Sequence, residues 1–446
     1  MLCYRPGPGL FVSDVWCMRD GGLWYVYGCQ GDANIGVATS PDLTDYTYRG
    51  VAIPGDWFGG DAFRWKGRRY MVYSHMGTEG NFVNLATSDD MRRWTDHAAN
   101  PILSFPDARW YDGATYRRSL RGVSNCRDPH VIKDASTGEW AYLCFAGDTG
   151  RGDPYRRACI GLARSRDLLT WEYLPPLFSP GQATLMEVPR VCRIGTKWFL
   201  TWLDAPWYGL RANEDSPRPP SGPNDVMIRY ALADHPLGPY RMGDDPTLLQ
   251  GQFSPYVIDF ARVGQRVMVV CNMFCQQGER PDMAVRGGLL PAMPVRQARG
   301  KPGKLEIHFP GQLRRLFKRR AILPGPPRVN NPDLPATDVT RRGNVFRFTR
   351  TSNRVVELTR STGADLIVDV DCRLAAGRAG VMIRYAGRKG CAAVVDPARR
   401  QLQFVEVHGA FKRGIILRTC ERHVITSPVG KSFALSVIAS RESMLV

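Results

Sequence analysis

Cysteine is sparse in this sequence. Twelve residues are scattered from Cys3 to Cys420 over 446 positions, far below the density of a disulfide scaffold. No Cys-x-x-Cys pair occurs, and the seven histidines show no His-x-x-x-His spacing, so neither a metal centre nor any other cofactor is expected. Long apolar runs are missing as well. Nothing approaches the ~18 residues of a membrane helix, and no membrane partner is expected. Pro6 and Pro8 interrupt the stretch where a secretory leader would need continuous apolar residues. With cysteines sitting in apolar runs as small buried hydrophobes, this leads to an expectation of a cytoplasmic protein. An excess of acid is also absent. Lys and Arg number 60 against 42 Asp and Glu, a net charge of +18, which excludes an acidic tail protein and leaves anionic partners open. The one dense basic cluster, Arg314, Arg315, Lys318, Arg319 and Arg320, comes with no helix-turn-helix, zinc-finger or RNA-recognition pattern, so nucleic acid is not expected. The sequence is silent on oligomeric state.

Helical periodicity of any length is lacking too, and strand patterns take its place. Runs such as Trp24-Tyr25-Val26-Tyr27 and Tyr70-Met71-Val72-Tyr73 are rich in aromatic and β-branched residues. These runs belong to a repeat. A polar or acidic residue opens a short apolar run, a turn follows, and then an aromatic-rich strand. A small-residue strand comes next, ending in Ser-x-Asp-Leu or a similar group. Five copies open at Asp14, Asp61, Asp128, Glu187 and Tyr256, roughly 50–70 residues apart, each with three or four strands. Repeats of this size predict an all-β, five-bladed β-propeller. Residues 287–309 are expected to complete the last blade. The expected catalytic propeller spans 1–322, a Pro/Asn-rich linker spans 323–335, and a run of short alternating strands over 336–446 predicts a C-terminal β-sandwich.

In a propeller the first strand of each blade lines the central channel, so equivalent positions converge. Four openings carry a carboxylate: Asp14, Asp61, Asp128 and Glu187. A single Asp at a strand start is commonly a turn cap, but like charges gathered in one well are costly unless a site uses them. Paired carboxylates suit glycoside hydrolysis, in which one protonates the leaving oxygen and a second attacks or activates water. Glu187 has the longer reach and the apolar neighbours Met186, Val188 and Pro189, which could raise its pKa as an acid requires. Arg127, beside Asp128, could bind adjacent hydroxyls in pairs. Trp16, near Asp14, and Trp57 fall in loops or near openings, where a ring can stack on a sugar. His130 reads as a structural histidine.

The N-terminal Asp, the Arg127-Asp128-Pro129 run, the Glu187-Val188-Pro189 run and the trailing β-sandwich together resemble glycoside hydrolase family 32, the invertases, inulinases and levanases. In layout the resemblance spans essentially the whole chain. It implies a carbohydrate substrate, a retaining mechanism on β-fructosides or a related furanoside, and in some relatives transfer to an acceptor sugar. It also implies roles: Asp14 as nucleophile, Asp128 as the residue that binds ring hydroxyls and steadies the transition state, and Glu187 as acid/base. Trp57-Phe58-Gly59-Gly60-Asp61 lies where the family has a Trp-Ser-Gly substrate motif, which does not itself require the acid Asp61; Arg127, Asp61, Trp57 and Trp16 are the substrate-binding candidates. The first motif departs from the family's Asn-Asp-Pro-Asn-Gly and reads Ser13-Asp14-Val15-Trp16-Cys17. An inverting enzyme similar to family 43 (arabinosidases and xylosidases) and a non-catalytic glycan-binding propeller remain as alternatives.

Overall fold

The architecture was read from a computed structural model. It describes residues 13–308 apart from 31–33, 56, 78–79, 106–109, 113–125, 134–136, 152–155, 182–184, 205–225, 252–256 and 274–287; further on it describes 328–329, 339–342, 345–348, 356–357, 366–374, 377–386, 389–411, 414–424, 432–439 and 444–445. Tyr256, the basic cluster and most of the expected linker lie outside the described residues.

The described residues form β-sheet throughout. Five antiparallel sheets follow one another along the chain, and each is a blade. Their inner strands are Ser13–Asp20, Trp57–Trp65, Arg127–Lys133, Glu187–Ile194 and Ile258–Val263. Each inner strand touches the next, and the fifth touches the first, so the ring closes. This is the five-bladed propeller that the repeat predicts. The last blade is completed by Gly288–Leu289, Met293–Gln297 and Leu305–Ile307.

The repeat grammar maps onto this geometry. Second strands such as Ala141–Asp148 and Lys197–Asp204 are almost wholly buried, as strands covered on both faces must be. The outermost strand Thr47–Ile53 alternates exposed and shielded residues over most of its length, as an edge does. The Ser-x-Asp-Leu signature is a turn made three times. Ser40, Ser88 and Ser165 each accept the N–H three residues on, at 2.7, 2.9 and 2.9 Å. Asp42, Asp90 and Asp167 each accept two further N–H groups of the turn. The Leu43, Met91 and Leu168 side chains that close these turns are buried at φ of 62°, 63° and 69°. Short polar side chains thus replace the backbone partners that a tight turn leaves unpaired.

Aromatic and aliphatic side chains fill the spaces between blades, one cluster per neighbouring pair and a larger one spanning the fourth, fifth and first blades. Trp16 is fully buried between the first two blades and stacks on Tyr27 at 5.9 Å between ring centres. It therefore has no face to offer a sugar. Trp16→Ala is expected to cost about 3–5 kcal/mol of stability, checked by urea unfolding, because it would empty a packed interface.

A second compact unit starts at Gly311. Its sheets, one built on Leu366–Arg373 and Ser432–Ala439 and the other on four strands between Ala379 and Val424, share a core of Val381, Ala393, Val395, Leu435 and Val437. Two sheets face to face over one core make a β-sandwich. A separate short hairpin pairs Val339–Arg342 with Val345–Phe348.

Candidate active site

The strand alternation of the inner strands is broken at one level. In the first, third and fourth blades one extra residue is inserted between Ser13 and Trp16, between Arg127 and His130, and between Glu187 and Arg190; the second blade has the same irregularity between Phe58 and Gly60. A bulge of this kind re-aims side chains at the rim of a sheet. It drives Asp14, Asp128 and Val188 to φ of 49°, 59° and 48°. For a β-branched residue such as Val188 that is a strained conformation, costing on the order of 1–3 kcal/mol.

The bulges bring three of the sequence candidates together. Asp14, Asp128 and Glu187, from the first, third and fourth blades, are buried and feel one another's charge. Arg127 sits among them. Its Nη2 donates to Glu187 Oε1, and its Nε lies 3.6 Å from Asp128 Oδ2. The backbone supplies the rest of the support. Val188 N–H donates to Asp128 Oδ2 at 3.1 Å, and Gly59 N–H to Asp14 Oδ2 at 3.4 Å. The N–H of Asp128 itself donates to Ser74 Oγ at 2.8 Å. A Cβ at Gly59 would stand 2.6 Å from Asp128 Oδ1, so a larger residue there must displace that carboxylate. Gly59→Ala should therefore lower turnover sharply while leaving the circular-dichroism spectrum unchanged, because the displaced atom is a site carboxylate.

Burial, then the charges of Asp128 and Glu187, push the Asp14 carboxyl up to about 7, against the opposing pull of Arg127 and the Gly59 N–H. Burial also pushes Asp128 up to about 6, with Arg127 opposing and Glu187 adding to the rise. The folded protein thus holds protons that an unfolded chain, with carboxyls near 3.8, has released. Stability from these two groups falls as pH rises from about 4 to about 7. Asp14→Asn should remove part of that slope and be more stable than the parent at pH 8, as read from urea midpoints at several pH values.

The remaining candidates fall elsewhere. Asp61 does not join the other acids. It lies further along its inner strand, beyond the bulge, and accepts Val131 N–H at 2.9 Å with His130 Nδ1 also at 2.9 Å. Burial raises its pKa, but the neighbouring His130 and Arg190 outweigh that and hold it low. Trp57 opens the second inner strand, and its side chain lies outside the described residues.

Beneath the acids runs a second polar tier that the sequence reading missed. Arg190, with no exposed surface, donates to the carbonyls of Gly60 at 2.8 Å and Pro189 at 2.9 Å, and its Nε lies 3.2 Å from Asp259 Oδ1. Asp259 Oδ2 accepts Cys17 N–H at 2.7 Å. With Asp61 and His130, this tier draws a residue from every blade. A signal for its register was available: Arg127-Asp128-Pro129-His130 and Glu187-Val188-Pro189-Arg190 align on their prolines. That alignment puts Glu187 opposite Arg127, not opposite Asp128, and Arg190 opposite His130.

Comparison with known proteins bears on the family and the fold. The profile described as "Glycosyl hydrolases family 32 N-terminal domain" matches residues 24–214, a range that holds Arg127, Asp128 and Glu187 and begins after Asp14. The chain is a divergent, family-32-like glycosidase. Among solved structures, this glycosidase is similar in fold to the Bombyx mori family-32 β-fructofuranosidase, with a TM-score of 0.60 at 14% identity over 98% of this chain and 94% of that one. It is also similar to Bacillus subtilis levansucrase, with a TM-score of 0.52 at 16% identity over 69% of this chain and 88% of that one. No curated protein matches it in sequence.

Proposed function

We propose that this glycosidase cleaves β-fructosides with retention of configuration, Asp14 attacking the anomeric carbon while Glu187 protonates the leaving oxygen. The observation that carries the reading is the gathering of Asp14, Asp128 and Glu187 from three blades around the Arg127 guanidinium. The fructoside assignment draws on the fold neighbours, one of which is a β-fructofuranosidase also seen in complex with sucrose.

In this mechanism Asp14 reacts as its carboxylate. Attack forms the bond from its oxygen to the anomeric carbon as the glycosidic bond breaks and Glu187 gives up its proton. Water then attacks the same carbon, Glu187 takes the proton back, and the Asp14 ester is released. An acceptor sugar in place of that water would give transfer. Asp128 is held by Val188 N–H and Arg127 and would accept ring hydroxyls as charge builds on the sugar. A panel of sucrose, inulin, levan, arabinosides and xylosides tests the substrate class. Release of fructose in its starting anomeric form, followed by NMR before mutarotation, supports the reading; an inverted product, or turnover of xylosides alone, overturns it. With Asp14 near 7, kcat/KM should fall as pH drops below about 7, along a limb set by this carboxyl.

A further inference from the structure

Cys29 ends the second strand of the first blade, Leu23–Cys29, and is buried with 3% of its surface exposed. Its Sγ lies 3.8 Å from Asp14 Oδ2, the oxygen that also accepts Gly59 N–H. The contact lies at the bulge of the neighbouring inner strand, where Ser13 pairs with Cys29, the register shifts, and pairing resumes at Trp16 with Tyr27. We propose that Cys29 is a positioning residue for the nucleophile, its S–H donating to Asp14 Oδ2 so that the other carboxylate oxygen is turned toward the sugar. This inference rests on Asp14 being the nucleophile.

The choice of a thiol has a chemical consequence. A hydroxyl or a guanidinium on Asp14 would stabilise the carboxylate strongly, hold it ionised and weaken it as a nucleophile. S–H is a weak donor, and the Gly59 N–H contact is long at 3.4 Å. The two together fix the direction of the carboxylate while leaving it basic. The other groups that face Asp14 are Asp128 and Glu187, which oppose its ionisation, and Arg127, which favours it. Removing the thiol leaves these three in place and takes away only one donor to the charged form.

The test is the acid limb of kcat/KM, compared after normalising each variant to its own plateau so that a general loss of rate does not enter. Cys29→Ala should move the limb to higher pH by about half a unit. Cys29→Ser should fall between Cys29→Ala and the parent, because the shorter C–O bond draws the donor away from Oδ2. Limbs that superimpose on the parent overturn the inference. A second readout needs no turnover. The S–H stretching band, isolated as the infrared difference between the parent and Cys29→Ser, should shift as pH is raised through 7 and stay still in Asp14→Asn. A band that behaves alike in both overturns it. The two readings separate cleanly: an active Asp14→Asn variant sinks the nucleophile assignment, whereas an inactive Asp14→Asn with an unmoved Cys29→Ala limb sinks only the role of the thiol.

Discussion

Asparagine in place of Asp14 should lower turnover by roughly four orders of magnitude or more, the scale on which losing a nucleophile is felt. The amide is nearly isosteric, so Gly59 N–H can still donate to its oxygen and the blades keep their packing. Glu187→Gln should cost about 10²–10⁴-fold on a sugar leaving group, and much less on an aryl fructoside, whose leaving group needs little protonation. This difference between substrates separates an acid from a structural partner of Arg127. The ion pair between Arg127 and Glu187 also fixes what a third variant should do. Arg127→Ala removes a cation from beside three buried carboxyls, so Asp14 and Asp128 rise further and the acid limb moves upward. Steady-state kinetics across pH reads all three variants.

A large loss of stability, reaching into the site, is expected at Arg190. Replacing it by alanine strands the Asp259 carboxylate in a buried position and leaves the carbonyls of Gly60 and Pro189 without their donor. Removing one partner of a buried charge pair costs about 3–5 kcal/mol, to be read as a lower urea midpoint. The loss should reach the site as well. Gly60 and Pro189 follow, by one residue each, the N–H donors that hold Asp14 and Asp128, namely Gly59 N–H and Val188 N–H in that order. Arg190→Lys keeps the charge but not the planar fork. It should recover part of the stability and little of the activity. If Arg190→Ala unfolds like the parent, the second tier does not brace the ring.

Much of this architecture was legible in the sequence because it rests on local patterns. The aromatic second strands and the Ser-x-Asp-Leu turns recur with their chemistry intact, and each specifies its own conformation. The acids Asp14, Asp128 and Glu187 were legible for the same reason, each standing at the head of its repeat. Depth along the channel was not legible. A bulge adds one residue and shifts the phase of every side chain after it, and period-two alternation carries no mark of where that happens. Asp61 shows the result: it opens its repeat in sequence and yet sits beside His130 in the lower tier. Trp16 shows it too. It stands two residues beyond Asp14, and the bulge turns it into the gap between blades. The proline alignment marks the level of Arg190, but its pairing with Asp259 has no local signature, because the two lie dozens of residues apart.

Capture of the covalent intermediate tests the central claim most directly. The Glu187→Gln variant, given an aryl β-fructofuranoside and quenched with acid, should accumulate fructosyl enzyme because its second step lacks a base. Peptide mass spectrometry should then find one added hexosyl group on the peptide that holds Asp14. An adduct on a different residue, or turnover of the substrate with no adduct and an inverted product, would contradict the account.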